Sequence, residues 1–377
     1  MFASKKAPTI PVYYVGYDPG TGGTTLFVSP EDDLDQVWTI TAPSYVSDGN
    51  LVDLANMRGR DLDESPASAL KAGEYAISME EAGKEREYYI GDLALKQGSN
   101  PDDALADPNR YWSLHSLLRL LALACAMIPE QCFEIRIVTA LPVSLYKVGK
   151  ENRAKVKKAL ENHYRIRFNG KPREITVKVG AVIMEGIGAL IAVGEGVGEE
   201  GIIDIGKRTI DLVGAEGQSP QAQFCHGNPT LGVGKVADEL TRVVLQRYKR
   251  TINPTLATDL LYAYAHEERL PEVSTEDANV PPDQLHAIIQ EAVTKQGRAI
   301  NTFISGAWNQ EGSTVGSNFH KVYVVGGGAH YFADSIRKII KKAIVPTLPE
   351  EANPRGYLDL ALGLEDAKPT VWQGQAA

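Results

Sequence analysis

Cysteine is scarce in this chain, and its spacing does not favour pairing. Cys125, Cys132 and Cys225 are the only three in 377 residues, with no CxxC among them. Any disulfide scheme leaves one thiol over, so a reducing compartment, the cytoplasm, is expected. Long apolar runs are also lacking. The most apolar stretch, Leu114 to Ile128, is interrupted by His115, Ser116 and Arg119. It is shorter than the roughly 20 residues of a membrane span, so it predicts a core helix and no membrane partner. Met1 to Pro11 contains two lysines but no apolar segment of signal-peptide type after them, which argues against secretion. There is no surplus of positive charge either. A net charge of −9 argues against direct nucleic-acid binding, because neutralising phosphates takes Lys and Arg, and any role on DNA would need an adaptor. Low-complexity tracts are absent, and so is the GxxxxGK[ST] pattern of a P-loop.

The length suits two lobes that share a cleft. Strand and helix patterns alternate along the chain, which predicts an α/β fold with a mixed sheet in each lobe. The reading divides the chain at 1–198, 199–350 and 351–377. The first part carries an exposed polar insertion at 47–74, and the last is a C-terminal helix returning to the first lobe, followed by a tail. Gly194 to Gly201 is the expected lobe boundary. Asp92 is read as a helix N-cap, and Ala333 to Ala343 as a helix. Arg250 to Pro282 is read as surface helix and loop.

Three glycine-containing turns carry the chemistry. The first follows the strand Val12 to Tyr17 and reads Asp18-Pro19-Gly20-Thr21-Gly22-Gly23-Thr24-Thr25. An acid is followed by a turn whose small residues allow backbone N–H groups close to a phosphate. Alone, it is an ordinary hairpin turn. A second element repeats the design: strand Ile202 to Ile205, containing Asp204, then Gly206-Lys207-Arg208-Thr209, then a second strand. Facing each other, the two hairpins could grip one polyphosphate while Asp18 and Asp204 hold one Mg2+ through its waters. The third element is Gly326-Gly327-Gly328-Ala329, a strand-to-helix turn whose missing side chains admit a flat ring or a phosphate.

In this order, hairpin, hairpin and glycine loop, the chain resembles the actin superfamily. Within it the resemblance is to the bacterial and plasmid actin-like proteins of the ParM type. Tyr89 to Ala94, Val138 to Val143, Thr230 to Val233 and Ala352 to Tyr357 each resemble segments of those proteins, and the likeness runs from Val12 to about Gly363. The resemblance implies an actin-like ATPase fold with ATP or ADP and Mg2+ in the cleft. It also implies self-assembly into filaments with Mg-ATP, for plasmid segregation or cytoskeletal positioning, with a DNA-binding adaptor as second partner. By the same resemblance Asp18 and Asp204 are the magnesium-side aspartates, and Glu185, at a predicted helix start, positions or deprotonates the attacking water.

Two departures stand out. Where the family carries lysine seven residues after the first aspartate this chain has Thr25, and Lys207 replaces the second glycine of the second hairpin. Lys207 or Arg208 supplying the missing charge would join the two. Asp211, across the turn from Asp204, could bind a turn amide or assist the metal, with the structural role favoured. Cys225-His226 is adjacent rather than spaced for a metal, and the acidic run Asp61 to Glu64 is read as a solvated loop. A small-molecule kinase of the same superfamily and a non-hydrolysing filament scaffold remain as alternatives.

Overall fold

The computed structural model describes residues 10–60, 64–102, 109–274, 279–309 and 314–364. The basic start of the chain, Asp61 to Asp63 of the acidic run and the tail beyond 364 lie outside the described residues. The chain divides into two units. The first holds 10–141, 145–184 and 353–364, and the second holds 142–144 and 185–352.

The first unit is built on ten strands: β1 Val12–Asp18, β2 Thr24–Pro30, β3 Trp38–Ala42, β4 Val46–Asp48, β5 Tyr75–Glu81, β6 Lys84–Ile90, β7 Ser99–Asp102, β8 Cys132–Leu141, β9 Asn162–Phe168 and β10 Lys171–Met184. They run in the order β3-β2-β1-β8-β10-β9-β5-β6-β4-β7. β1 is antiparallel to β2 and parallel to β8, which is parallel to β10. Tyr13 to Tyr17 are all buried because apolar layers cover both faces, as a central strand with parallel pairing requires. Tyr13, Val15 and Tyr17 pack with Leu117, Leu118 and Leu121 of the helix Leu114–Met127. On the opposite face, Tyr14 and Phe27 pack with Tyr357, Leu358, Ala361 and Leu362 of the helix Ala352–Gly363.

Gly16 makes the second contact possible. A Cβ there would sit 2.0 Å from the Pro354 carbonyl oxygen and 2.6 Å from the Leu358 nitrogen, both backbone atoms. Gly16→Ala is therefore expected to cost about 1–3 kcal/mol as overpacking, read as a lower urea midpoint. An unchanged midpoint would mean that the terminal helix can shift away without loss.

The second unit repeats the plan with β11 Glu199–Ile205, β12 Ile210–Glu216, β13 Ser219–Pro220, β14 His226–Asn228, β15 Lys321–Val325 and β16 Ala343–Ile344. The order is β13-β12-β11-β15-β16, with β14 also beside β12. As in β2-β1-β8-β10, a hairpin is extended by two parallel strands. Ile203, Ile205, Ile210 and Leu212 pack with Val236, Leu240 and Val244 of the helix Gly234–Tyr248 and with Ile300, Ile304 and Trp308 of the helix Pro282–Trp308.

Several expectations are corrected. The units divide after Met184 rather than at 198. Gly186 is pressed on β12, where a Cβ would lie 2.8 Å from Val213 Cγ2, so the helix Ile187–Val193 already belongs to the second sheet. The insertion at 47–74 is anchored, not exposed throughout: Leu51, Leu54, Ala55 and Ala69 are buried against Tyr89 and Leu93. Gly91, with φ +67°, is the N-cap ahead of Asp92. The helix after the glycine loop spans Ala329–Arg337, since the loop itself starts it. Arg250 to Pro282 contains the helix Pro254–Ala265 with Leu260 and Leu261 buried. Cys125 and Cys225 are buried thiols and Cys132 an exposed one. No helix among the described residues is long and apolar enough to cross a membrane.

Candidate functional site

In the second unit the predicted turn Gly206-Lys207-Arg208-Thr209 closes with Gly206 N–H donating to the Thr209 carbonyl at 2.9 Å. Its other carbonyls face the start of the helix Gly234–Tyr248. Gly232, Val233 and Gly234 N–H donate to the carbonyls of Arg208, Gly206 and Lys207 at 2.9, 3.1 and 2.6 Å. Gly232 is required there, because a Cβ would come within 2.5 Å of Arg208 backbone atoms. With no cis peptide among the described residues, carbonyl and amide of one peptide unit point in opposite directions. The Lys207, Arg208 and Thr209 amides therefore point away from the helix, in the arrangement of an anion-binding nest.

The glycine loop is brought against the same hairpin. β15 runs parallel to β11 with Val325 opposite Asp204, and Gly328 N–H donates to the Ile205 carbonyl at 2.8 Å. Gly326 has φ +76°, and a Cβ there would meet Asp204 Oδ1 at 2.5 Å, while one at Gly328 would meet Ile205 Cγ2 at 2.3 Å. Gly326 and Gly328 are thus glycines for packing. Gly327 faces open space, and Ala329 is buried at the helix start.

Asp204, 8% exposed, sits opposite Asp211, 1% exposed, in the hairpin ladder. Asp211 Oδ1 accepts from Val143 N–H at 2.8 Å. Burial, and then the charge of Asp204, push the Asp211 carboxyl up to about 7 despite lowering contributions from Val143 N–H, the Thr209 hydroxyl and Glu185. Asp211 Oδ2 is buried with no donor in hydrogen-bonding geometry, although the Glu185 carboxyl reaches it closely enough to lower its pKa. Glu185 is therefore not a first-turn helix acid: it precedes the αL cap Gly186, φ +87°, of the helix Ile187–Val193. Asp211, which the sequence reading favoured as structural, joins Asp204 and Glu185 in one carboxyl cluster; its only sequence signal is an acid seven residues after Asp204.

The shift fixes the direction of a pH effect. The folded-state value lies above the ordinary 3.8, so the folded state holds an extra proton between the two values. This stabilisation is complete below about pH 4 and is lost as pH rises toward 7, at about 1.4 kcal/mol per unit. Asp211→Asn, which keeps the acceptor for Val143, is expected to flatten that loss in urea midpoints measured from pH 4 to 8. Parallel profiles for both proteins would contradict it.

In the first unit Asp18 closes β1 opposite Thr25, and the hairpin turn is tight. A Cβ on Gly20 would meet the Gly23 carbonyl oxygen at 2.6 Å. The Ser44 hydroxyl donates to the Gly20 carbonyl. Thr21, Gly22 and Gly23 stay at least partly exposed. The Thr24 side chain is fully buried, 3.1 Å from the Ser44 hydroxyl, and accepts from Arg119 Nη1 at 3.1 Å. Its side chain is thus committed to the interior. Thr25 bonds Thr41 across the strands at 2.9 Å.

Arg119, read in the sequence only as a break in an apolar run, is fully buried beneath this hairpin. Its Nε donates to the His115 carbonyl at 3.2 Å, and Nη2 has no partner. The ion pairs among the described residues include none for Arg119. A buried guanidinium without a counter-charge is costly, and no sequence pattern announces it.

A family description, actin like proteins N terminal domain, matches residues 16–188, and a second, plasmid segregation protein ParM, C-terminal, matches residues 197–359. A 15-stranded ParM filament from Clostridium botulinum shares 19% identity at TM-score 0.70, covering 93% of this chain and 99% of that one. An archaeal actin homolog shares 20% at 0.67, covering 94% and 99%. Bacillus thuringiensis ParM with ATP shares 16% at 0.66, covering 94% and 99%. No curated protein matches the chain. Fold and family matches together define an actin-like protein. Within that class, the chain belongs to the ParM-type actin-like family.

Asp204 and Asp211, opposite each other with the Asp211 Oδ2 oxygen buried and without a hydrogen-bond partner, offer the hard oxygen atoms that divalent cations take.

Proposed function

We propose that this chain is an ATPase that assembles into filaments with Mg-ATP, acting in plasmid segregation or cytoskeletal positioning. The observation that carries the reading is the gathering of Asp204, Asp211 and Glu185 beside an anion-facing turn and a glycine loop, in a chain of the ParM type. Two similar structures, one a ParM filament and one a ParM with ATP, support it.

In this reading Gly20, Thr21, Gly22, Gly23 and Thr24 of the first hairpin, and Gly206, Lys207, Arg208 and Thr209 of the second, bind the phosphates. Gly326, Gly327, Gly328 and Ala329 border the nucleoside. Asp18 and Asp204 hold Mg2+ through its waters, and Glu185 orients or deprotonates water. The ion, when bound, supplies charge stabilisation at the phosphates. The partners are further copies of the chain and a DNA-binding adaptor, in the cytoplasm.

Incubation of the purified chain with Mg-ATP, followed by light scattering, phosphate release and high-speed pelleting, tests this. Nucleotide-dependent pelleting with phosphate release is expected. Scattering without release would favour a non-hydrolysing scaffold, and neither signal would overturn the filament reading.

A further inference from the structure

At the far ends of β11 and β15 from the carboxyl cluster, Glu195, Glu200 and His320 each present one ligand atom, all within 4.8 Å of one another. Glu200 is fully buried, which is unusual for a carboxylate without strong support. Glu195 N–H and Tyr323 hydroxyl donate to its Oε1 at 3.0 and 3.3 Å, and Gly196 N–H to its Oε2 at 3.1 Å. Close quarters fix the loop around it: a Cβ on Gly194 would lie 2.9 Å from Glu200 Oε2, and Gly198 has φ +71° against the His320 ring. The carboxylate is therefore held in place before any ligand arrives.

His320 supplies the second observation. Its Nδ1 lies 2.9 Å from the Glu199 carbonyl oxygen, which can only accept, so Nδ1 carries the proton. In the neutral ring Nε2 is then a lone pair, aimed at Glu195 Oε2 at 3.5 Å. A proton on Nε2 makes this a histidine–carboxylate pair, and a metal ion would take the same place between nitrogen and oxygen. A backbone carbonyl fixing the far nitrogen is the support that metal-bound histidines have.

We infer that Glu195, Glu200 and His320 form a binding site for a divalent transition metal of the zinc type. One imidazole and two carboxylates make a nitrogen–oxygen set that Zn2+ takes with an open position, and imidazole prefers it to Mg2+. Lys321 is the built-in competitor: its ammonium pairs with Glu195 Oε1, and entry of the metal releases it to solvent. Bound metal would tie the loop after the helix Ile187–Val193 to the starts of β11 and β15, a staple independent of the nucleotide residues.

The test is calorimetric titration of ZnCl2 into the metal-free full chain without nucleotide. One saturable site per chain is expected, unaffected by excess Mg2+ and retained in Asp204→Ala. His320→Ala is expected to weaken it at least about tenfold, and Lys321→Met to tighten it. Zn2+ should also raise the Tm of the wild-type chain and not that of His320→Ala. Absence of saturable binding would overturn the assignment. So would equal binding by His320→Ala, which would place the metal elsewhere, or failure of Lys321→Met to tighten it.

Discussion

Glu185→Gln is expected to lower phosphate release by about 10²–10⁴-fold, the range for losing a positioned base, while ATP-dependent pelleting persists and the pellets dissolve more slowly. The argument runs from backbone to chemistry. Gly186 takes φ +87° and leaves no room for a Cβ beside Val213, so the chain direction at Glu185 is imposed rather than chosen by the residue. That direction delivers the Glu185 carboxyl to Asp211, whose own pKa burial and Asp204 have raised to about 7. Asp211, buried beside Asp204, therefore holds its proton to higher pH than an ordinary carboxyl, and Glu185 stands next to it. Glutamine keeps the size and a hydrogen bond to Asp211 but cannot accept a proton from water. Unchanged phosphate release would remove Glu185 from the chemistry. Loss of nucleotide binding together with release would instead make it a structural member of the cluster, and Asp211→Asn would then share the defect.

Much of this could be read from residue order because the hairpins are local. Val12 to Asp18 and Ile202 to Ile205 are β-branched or aromatic runs that end in an acid and a glycine turn, and both became strand, turn and strand. Burial by distant elements left weaker traces. Tyr164, Ile166 and Phe168 alternate with Arg165 and Arg167 in β9, a short period-2 signal crowded against the charged helix Lys150–Leu160 just before it. Leu51 and Leu54 sit on one face of a short helix, yet the polar residues around them made 47–74 look exposed. Asp211 and Arg119 were illegible for a different reason: their environments are made by residues 68 and 95 positions away, Val143 and Thr24. A titratable group's role depends on what surrounds it, and sequence shows only what precedes and follows it.

Arg119→Met is expected to weaken nucleotide binding by about ten- to hundredfold, the 1.5–3 kcal/mol of a charge-assisted interaction, while leaving the Tm of the nucleotide-free chain unchanged or higher. The two directions belong together. A fully buried guanidinium with an unpartnered Nη2 and no ion pair among the described residues costs desolvation, and replacing buried charge with an apolar side chain of similar length is often neutral or stabilising. A residue that weakens the empty protein but sits beneath a turn suited to anions fits the pattern of stability given up for function. Its bond to Thr24 ties it to the strand that begins immediately after Gly23, so its charge lies under the first hairpin, where Thr25 supplies none. Lys207, half-buried in the other hairpin, was the sequence-based candidate for that charge. Nucleotide titrations of Arg119→Met and Lys207→Ala separate them: a loss confined to Lys207→Ala restores the earlier idea, and a loss confined to Arg119→Met replaces it. A fall in Tm alongside weaker binding in Arg119→Met would mean that the arginine serves the fold, and its charge would then have no claim on the nucleotide.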